Sequence, residues 1–419
     1  MMSQAFYTGI NGIKAHQSGI DVIADNLANT STVGFRGYTA EFSSMFEEAL
    51  HTSSEISSVN SGVGVGTRLN TVSMDENKGV YQLTDRSTDL AIMGDGWFGI
   101  QAEGEVNYTR DGSFTFDENR DLVTNDGYYV LGTVGDNIEN GELVEKLAEV
   151  KLGEASAQQK LRLPKSLLFP VQPTTQVKFY GNLGVEDETR VISAKAVDPE
   201  NNNNSIRLEF SKVDPQVLPG SQWNVTATAQ SLDGATIYDT QTGVVGFDEA
   251  GALISNTLST IDNNGAEVNI DLSTGFNGVT AIRNPFTASS SSDGIEAGEL
   301  VGYDINRNGE VIAAFTNGEQ SSVASIAVYH FANDKGLNRV SGSRFLESAN
   351  SGEPIFFKDA NGDNIIGTDI TNYKLEGSNV RMEVGLTEII VMQRSYDANS
   401  KCITTADQMI QKALSMDAS

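Results

Sequence analysis

The eight prolines of this chain fall at positions 164, 170, 173, 199, 215, 219, 285 and 354, so the first 163 residues and the last 65 contain none. Proline removes a helical donor and clashes with the preceding turn, and its absence leaves both ends free for long uninterrupted helices. Near the N-terminus Phe6, Ile10, Ile13, Gln17, Ile20, Ala24 and Leu27 recur at alternating spacings of four and three, a heptad seam with one polar interruption. The stretch stops at Asn29-Thr30-Ser31-Thr32-Val33-Gly34. Near the C-terminus Met382, Leu386, Ile389, Gln393, Tyr396, Ser400, Ile403, Asp407, Ile410 and Leu414 alternate in the same way, with one heptad position apolar throughout. The spacing predicts helices over Ser3–Ala28 and Val380–Ala413, roughly 40 and 50 Å long. Neither can bury its stripe alone. Pairing of the two ends as a coiled coil, with any remaining stripe against other copies of the chain, is the expected solution. The candidate subunit-packing residues are therefore Phe6, Ile10, Ile13, Ile20, Leu27, Met382, Leu386, Ile389, Tyr396, Ile403, Ile410 and Leu414.

The body between these ends reads as β. From Asp89 to Thr133 the turn signals Asp95-Gly96, Glu103-Gly104, Asp111-Gly112, Asp117-Glu118-Asn119 and Asp126-Gly127 separate short apolar and aromatic runs such as Trp97-Phe98-Gly99-Ile100. A second β block, Glu299 to Phe331, turns at Asn308-Gly309. Between them seven of the eight prolines, the run Asn201-Asn202-Asn203-Asn204 and many Thr and Asp residues mark an inserted β domain with exposed loops. Ala288 to Gly294, rich in serine, reads as a loop near its return, and Thr52 to Gly66 as a patternless Ser-rich linker. The expected fold is mainly β with long α-helical termini: terminal coiled-coil helices plus two nested β domains. The boundaries are 1–70 and 373–419 for the helical assembly domain with its linker, 71–164 and 284–372 for a discontinuous β core, and 165–283 for the inserted outer domain.

Charge excludes whole classes of function. With 28 basic and 56 acidic residues the net charge is −28, which opposes binding to nucleic acid or an anionic membrane. One cysteine, Cys402, rules out an internal disulfide framework, and placed beside Ile403 on the seam it reads as a small apolar packing residue. His16, His51 and His330 lie far apart and form no metal motif. No apolar run is long enough to span a bilayer, and the first twenty residues lack a cleavable secretory signal. Gly94-Asp95-Gly96-Trp97-Phe98-Gly99 fits a dinucleotide-binding pattern, but aromatic strand residues follow where a helix is required, so a hairpin is the better reading. Asp304 to Gly309 matches half of a calcium loop whose twelfth position, Phe315, cannot supply the bidentate carboxylate. Asp359 to Asn364 fails sooner and reads as a turn. No catalytic, cofactor-binding or metal-binding residues are assigned; an enzyme or carbohydrate-binding reading has only the abundant carboxylates in its favour.

Four blocks, in order, resemble the bacterial flagellar rod and hook axial protein family. They are Asp21 to Arg36, Asp89 to Phe98, Tyr108 to Phe114, and Leu375 to Val380 continuing through Ile389–Tyr396 and Ile403–Asp407. Glu299–Ile305, Gly309–Glu319 and Phe331–Leu337 are similar to hook members of the family, and the inserted middle separates the chain from the shorter distal rod proteins. The resemblance covers about 1–135 and 295–415. Asp25 stands where the family has Asn, and Arg381-Met382 where it has Asp-Leu. What the resemblance implies is a non-catalytic homopolymer in the flagellum, exported without a cleaved signal through the type III apparatus and carrying motor torque from rod to filament. It also implies contacts with a distal rod protein, a cap protein and a junction protein at the filament. A distal rod protein or hook-like paralogue is the alternative within the family.

Overall fold

The computed structural model describes residues 2–47, 63–102, 104–216 and 220–417. Two long helices, α1 (Met2–Ala28) and α2 (Met382–Asp417), flank a body that is mainly β. Both helices fall where the proline-free ends predict them.

The strands before the middle segment pair with strands after it. The core sheet runs in the spatial order Ile138–Glu139, Glu142–Leu143, Leu168–Phe169, Gly298–Ile305, Glu310–Phe315, Gln320–Ile326, Tyr129–Val134, Trp97–Ala102, Glu105–Thr109, Arg344–Leu346 and Asn338–Arg339. Turns at Asn308-Gly309 and Gly127 reverse the chain with glycine at positive φ, as the hairpin signals require. Leu90, Phe98, Phe114, Val130, Phe169, Val311 and Val328 fill the interior, none with more than a trace of exposed surface. The turn at Gly94–Gly96 is not a hairpin: Leu90–Ile92 pairs with Ile370–Asn372, whereas Trp97–Ala102 pairs with Glu105–Thr109, Tyr129–Val134 and Val328–Tyr329. No helix starts there. Gly96 has φ +123°, and a Cβ on it would lie 2.5 Å from Val328 Cγ1, so glycine is demanded by packing and not by a phosphate.

A second core lies wholly between Val177 and Ala281. One sheet is the antiparallel meander Arg190–Val197, Asn203–Lys212, Ser221–Ser231, Ile237–Phe247 and Leu253–Asn256. The other holds Gln176–Asn182, Thr260–Asn263, Ala266–Asp271, Val279–Thr280 and Thr287–Ser292. Alternate residues point inward, as in Ile206, Leu208 and Phe210, so the two sheets close on Trp223 and Phe179.

Three local readings change. Ala288 to Gly294 is not a loop, because Thr287–Ser292 forms a full antiparallel strand against Gln176–Asn182. Serine carries no β signal, and the backbone ladder decides the matter. The asparagine run is only half a loop: Asn201 and Asn202 are exposed in a turn, whereas Asn203 and Asn204 begin a strand and Asn204 is buried. Asp198 is fully buried and accepts hydrogen bonds from the backbone of Glu200 and Asn202 and from the amides of Asn202, Asn204 and Asn264. The third change lies beside α1, where β1 (Tyr38–Glu47) and β2 (Val63–Met74) form an antiparallel ribbon. Of the Ser-rich linker, residues 63–66 therefore belong to a strand, and residues 52–62 lie outside the described residues.

Candidate assembly surface and its junction with the core

α1 and α2 pack antiparallel: Gly9 faces Ile403, Gly12 faces Asn399, Gly19 faces Met392 and Leu27 faces Gly385. The contact is made by small residues. A Cβ at Gly9 would stand 2.7 Å from Ile403 Cγ1, and one at Gly12 would stand 2.6 Å from Asn399 Oδ1. Gly9, Gly12, Ala15, Gly19 and Ile23 form the buried line of α1, one or two residues earlier than the apolar seam read from sequence. On α2 Ile389, Ile403 and Ile410 are half-buried, Met382 and Tyr396 of the same line are exposed, and the line turned toward α1 is Gly385, Met392, Asn399 and Ala406. Gln393, Ser400 and Asp407, read as the companion line, are exposed.

The physical reason is distance. Glycines let the helix backbones approach until Asn399 and Ile403 fill the gap, whereas Phe6, Ile10, Ile13 and Ile20 on the same line would hold them apart. Glycine costs about 1 kcal/mol in a helix interior, so its recurrence at 9, 12 and 19 was the available signal for this contact.

Apart from Leu27 and Ile403, which meet glycines of the facing helix, the large apolar residues are left at the rim or outside of the pair. Phe6, Met382, Leu386, Tyr396 and Leu414 are exposed; Ile10, Ile13, Ile20, Leu27, Ile389, Ile403 and Ile410 are half-buried. Ile390 and Val391 add to the outer face at 57% and 56% exposure. Cys402 is exposed and does not pack in the helix contact. The ribbon covers another side of α1: Asn11 Nδ2 donates to Val65 O at 2.9 Å, and a Cβ on Gly19 would touch Phe42 at 3.1 Å. His16 sits between Phe42 and Met392, and burial lowers its pKa.

The helix pair is anchored to the β core by a buried ion triad. Glu376, 1% exposed, directs Oε1 to Arg36 Nη2 at 3.0 Å and Oε2 to Arg110 Nη1 at 3.2 Å. Its Oε1 also accepts from Gly79 N at 2.9 Å, and its backbone oxygen accepts from Gly34 N at 2.7 Å. Arg110 donates to Gly94 O and lies over the Trp97 ring; Arg36 donates to Asn77 O. Burial and the neighbouring Arg36 push the Arg110 pKa down while Glu376 opposes the shift, and the guanidinium stays charged. Two amides complete the junction. Asn379 accepts from Gly37 N and donates to Asp75 O and Asn77 O, and Asn26 bonds both backbone groups of Tyr38. Asp25 pairs with Arg339 at 2.6 Å, and Arg339 stacks over Phe35 and Tyr38, so the departure at Asp25 supplies a charge that the core uses. Burial, outweighing the attraction of Arg339, raises the Tyr38 pKa to about 12. Sequence reading missed this junction because Arg36, Arg110 and Glu376 lie in three separate segments.

Among the described residues no group of three His, Cys, Asp or Glu side chains is arranged to hold a metal, and no helix is long and apolar enough to cross a membrane.

Three family models of flagellar axial proteins match the two paired ends and the β body between them. "Flagella basal body rod protein" matches residues 6–36, "Flagellar hook protein FlgE/F/G D1 domain" 91–157, and "Flagellar basal body rod FlgEFG protein C-terminal" 372–416. The flagellar hook protein FlgE of Brucella suis is 30% identical, with 96% of each chain covered. That of Escherichia coli is 28% identical over 98% of this chain and 100% of its own. A crystal structure of Helicobacter pylori flagellar hook protein FlgE2 shares the fold at a TM-score of 0.53 and 17% identity, covering 70% of this chain and 100% of that one. The chain belongs to the flagellar hook protein family.

Proposed function

We propose that the chain is the structural subunit of a flagellar hook, a self-assembling flexible tube outside the cell that carries torque from rod to filament. It has no substrate and no catalytic centre. The observation that carries the reading is the row of large apolar residues on the outer face of the helix pair, Leu386, Ile390, Val391 and Leu414 among them. A lone monomer rarely leaves such a row in water, and neighbouring copies would cover it. The packing role of Phe6, Ile10, Ile13, Ile20, Leu27, Met382, Leu386, Ile389, Tyr396, Ile403, Ile410 and Leu414 belongs to this proposal.

So does the division into a helical assembly layer, a discontinuous β core and an outer β unit, with Thr287–Ser292 assigned to the outer unit by its pairing. The specific partners proposed are the distal rod protein, the hook cap protein, the hook-filament junction protein and the type III export apparatus. A distal rod role is disfavoured by full-length similarity to hook proteins.

The test is a deletion strain carrying the gene on a plasmid. Basal bodies without hooks in the deletion, and hooks restored by the wild-type chain, are expected; hooks present without the chain would overturn the reading.

A further inference from the structure

Apart from the helix pair, the β core carries a cleft of about 430 Å³ that no role above uses. Tyr108 and Tyr329 line it, their rings in edge contact at 5.3 Å, with Val106 and Pro354 as apolar walls. Both tyrosines are almost wholly buried, at 3% and 2% exposure, and their hydroxyls, which have no protein hydrogen-bond partner among the described residues, are the part that still reaches solvent in the cleft. Two phenolic oxygens without a protein partner, reaching solvent side by side in the wall of an open cleft, can donate to or accept from an outside group. Glu105 and Glu347 also line the cleft, and both are exposed and without an ion-pair partner among the described residues. Burial and the charge of Glu347 both raise the Tyr108 pKa, so this phenol keeps its proton and lies within electrostatic reach of that carboxylate.

Apolar walls, phenolic oxygens and two free carboxylates together suit a long apolar stem with a cationic head. We propose that this cleft receives a lysine or arginine side chain from a second copy of the chain. The proposal rests on the hook-subunit reading for the identity of the partner. Charge supports that identity: subunits of net charge −28 repel one another unless opposite charges meet locally, and Arg283, Arg307, Arg394 and Lys401 are exposed cations without ion-pair partners among the described residues.

The test uses the full-length chain and two readouts. In the first, monomer with ¹³C-labelled tyrosine is titrated with n-butylguanidinium. The Tyr108 and Tyr329 signals of the wild type should shift, and those of the doubly substituted Glu105→Gln/Glu347→Gln chain should not. In the second, polymer is pelleted over a range of protein concentrations. The carboxamide variant and Tyr108→Phe/Tyr329→Phe should each need about tenfold more protein to polymerise at low salt. Shifts in the monomer with unchanged polymerisation of the variants overturn the second copy as occupant. Absence of both effects overturns the site. If the wild type shifts but never polymerises, the hook-subunit reading fails and the cation site stands.

Discussion

At the scale of single residues, the junction is governed by charges that have no access to water. Glu376 satisfies two guanidinium groups that would otherwise be buried without a counter-charge, so Glu376→Gln should destabilise the folded core by about 3–5 kcal/mol. Urea unfolding followed by tryptophan fluorescence checks this, since Trp97 lies under Arg110. His330 makes a second prediction. Burial outweighs the hydrogen bond to Ile366 O and lowers its pKa from 6.5, so the folded state binds its proton less well than the unfolded state. Stability should therefore be lost as pH falls below 6.5, toward the lowered folded value, and His330→Gln should remove this part of the slope. In Asp198 five hydrogen bonds overcome burial and lower the carboxyl pKa, so its contribution is present above 3.8 and lost only at more acid pH. The two groups can be told apart by comparing unfolding curves between pH 7.5 and 5.5 with curves below 4.

At the scale of elements, the helix pair depends on how closely its backbones approach. Gly12→Val would place a branched side chain where Asn399 now lies, and the pair should separate without unfolding the β body. Limited proteolysis should then cut within α1 and α2 while the core fragment persists, and polymer formation should be lost. Leu386→Asp belongs to the opposite face. It leaves the intramolecular contact untouched, so the helix content by circular dichroism should remain while pelleted polymer disappears. Equal polymer from this variant and the wild type would remove Leu386 from the packing surface. The strand elements teach a related lesson. Thr287–Ser292 is rich in serine and is held by its ladder to Gln176–Asn182, a tertiary fact that local propensity does not contain.

At the scale of the whole molecule, both ends of the chain are needed to finish the core. A fragment of residues 70–370 would omit Lys374–Glu376, which pairs with Tyr81–Leu83, and would leave Arg110 without Glu376. A 78–378 fragment keeps both and should be the more stable by thermal unfolding, while remaining monomeric in the ultracentrifuge. Net charge acts at the same scale. Repulsion of −28 is repeated in every subunit, so polymerisation should weaken as ionic strength is lowered from about 150 to about 10 mM, where the Debye length grows from about 8 to about 30 Å. Sedimentation of polymer at the two salt concentrations checks this. The sequence by itself determined the helical ends, because proline is absent there, and the β body, because its turns recur at strand spacing. Only the tertiary structure decided which helix face turns inward, since glycines signal closeness only when a second helix is present to approach them. It alone decided the Arg36–Glu376–Arg110 junction as well, because an ion triad drawn from three distant segments has no local pattern, and burial, which gives it its energy, is a property of the folded chain.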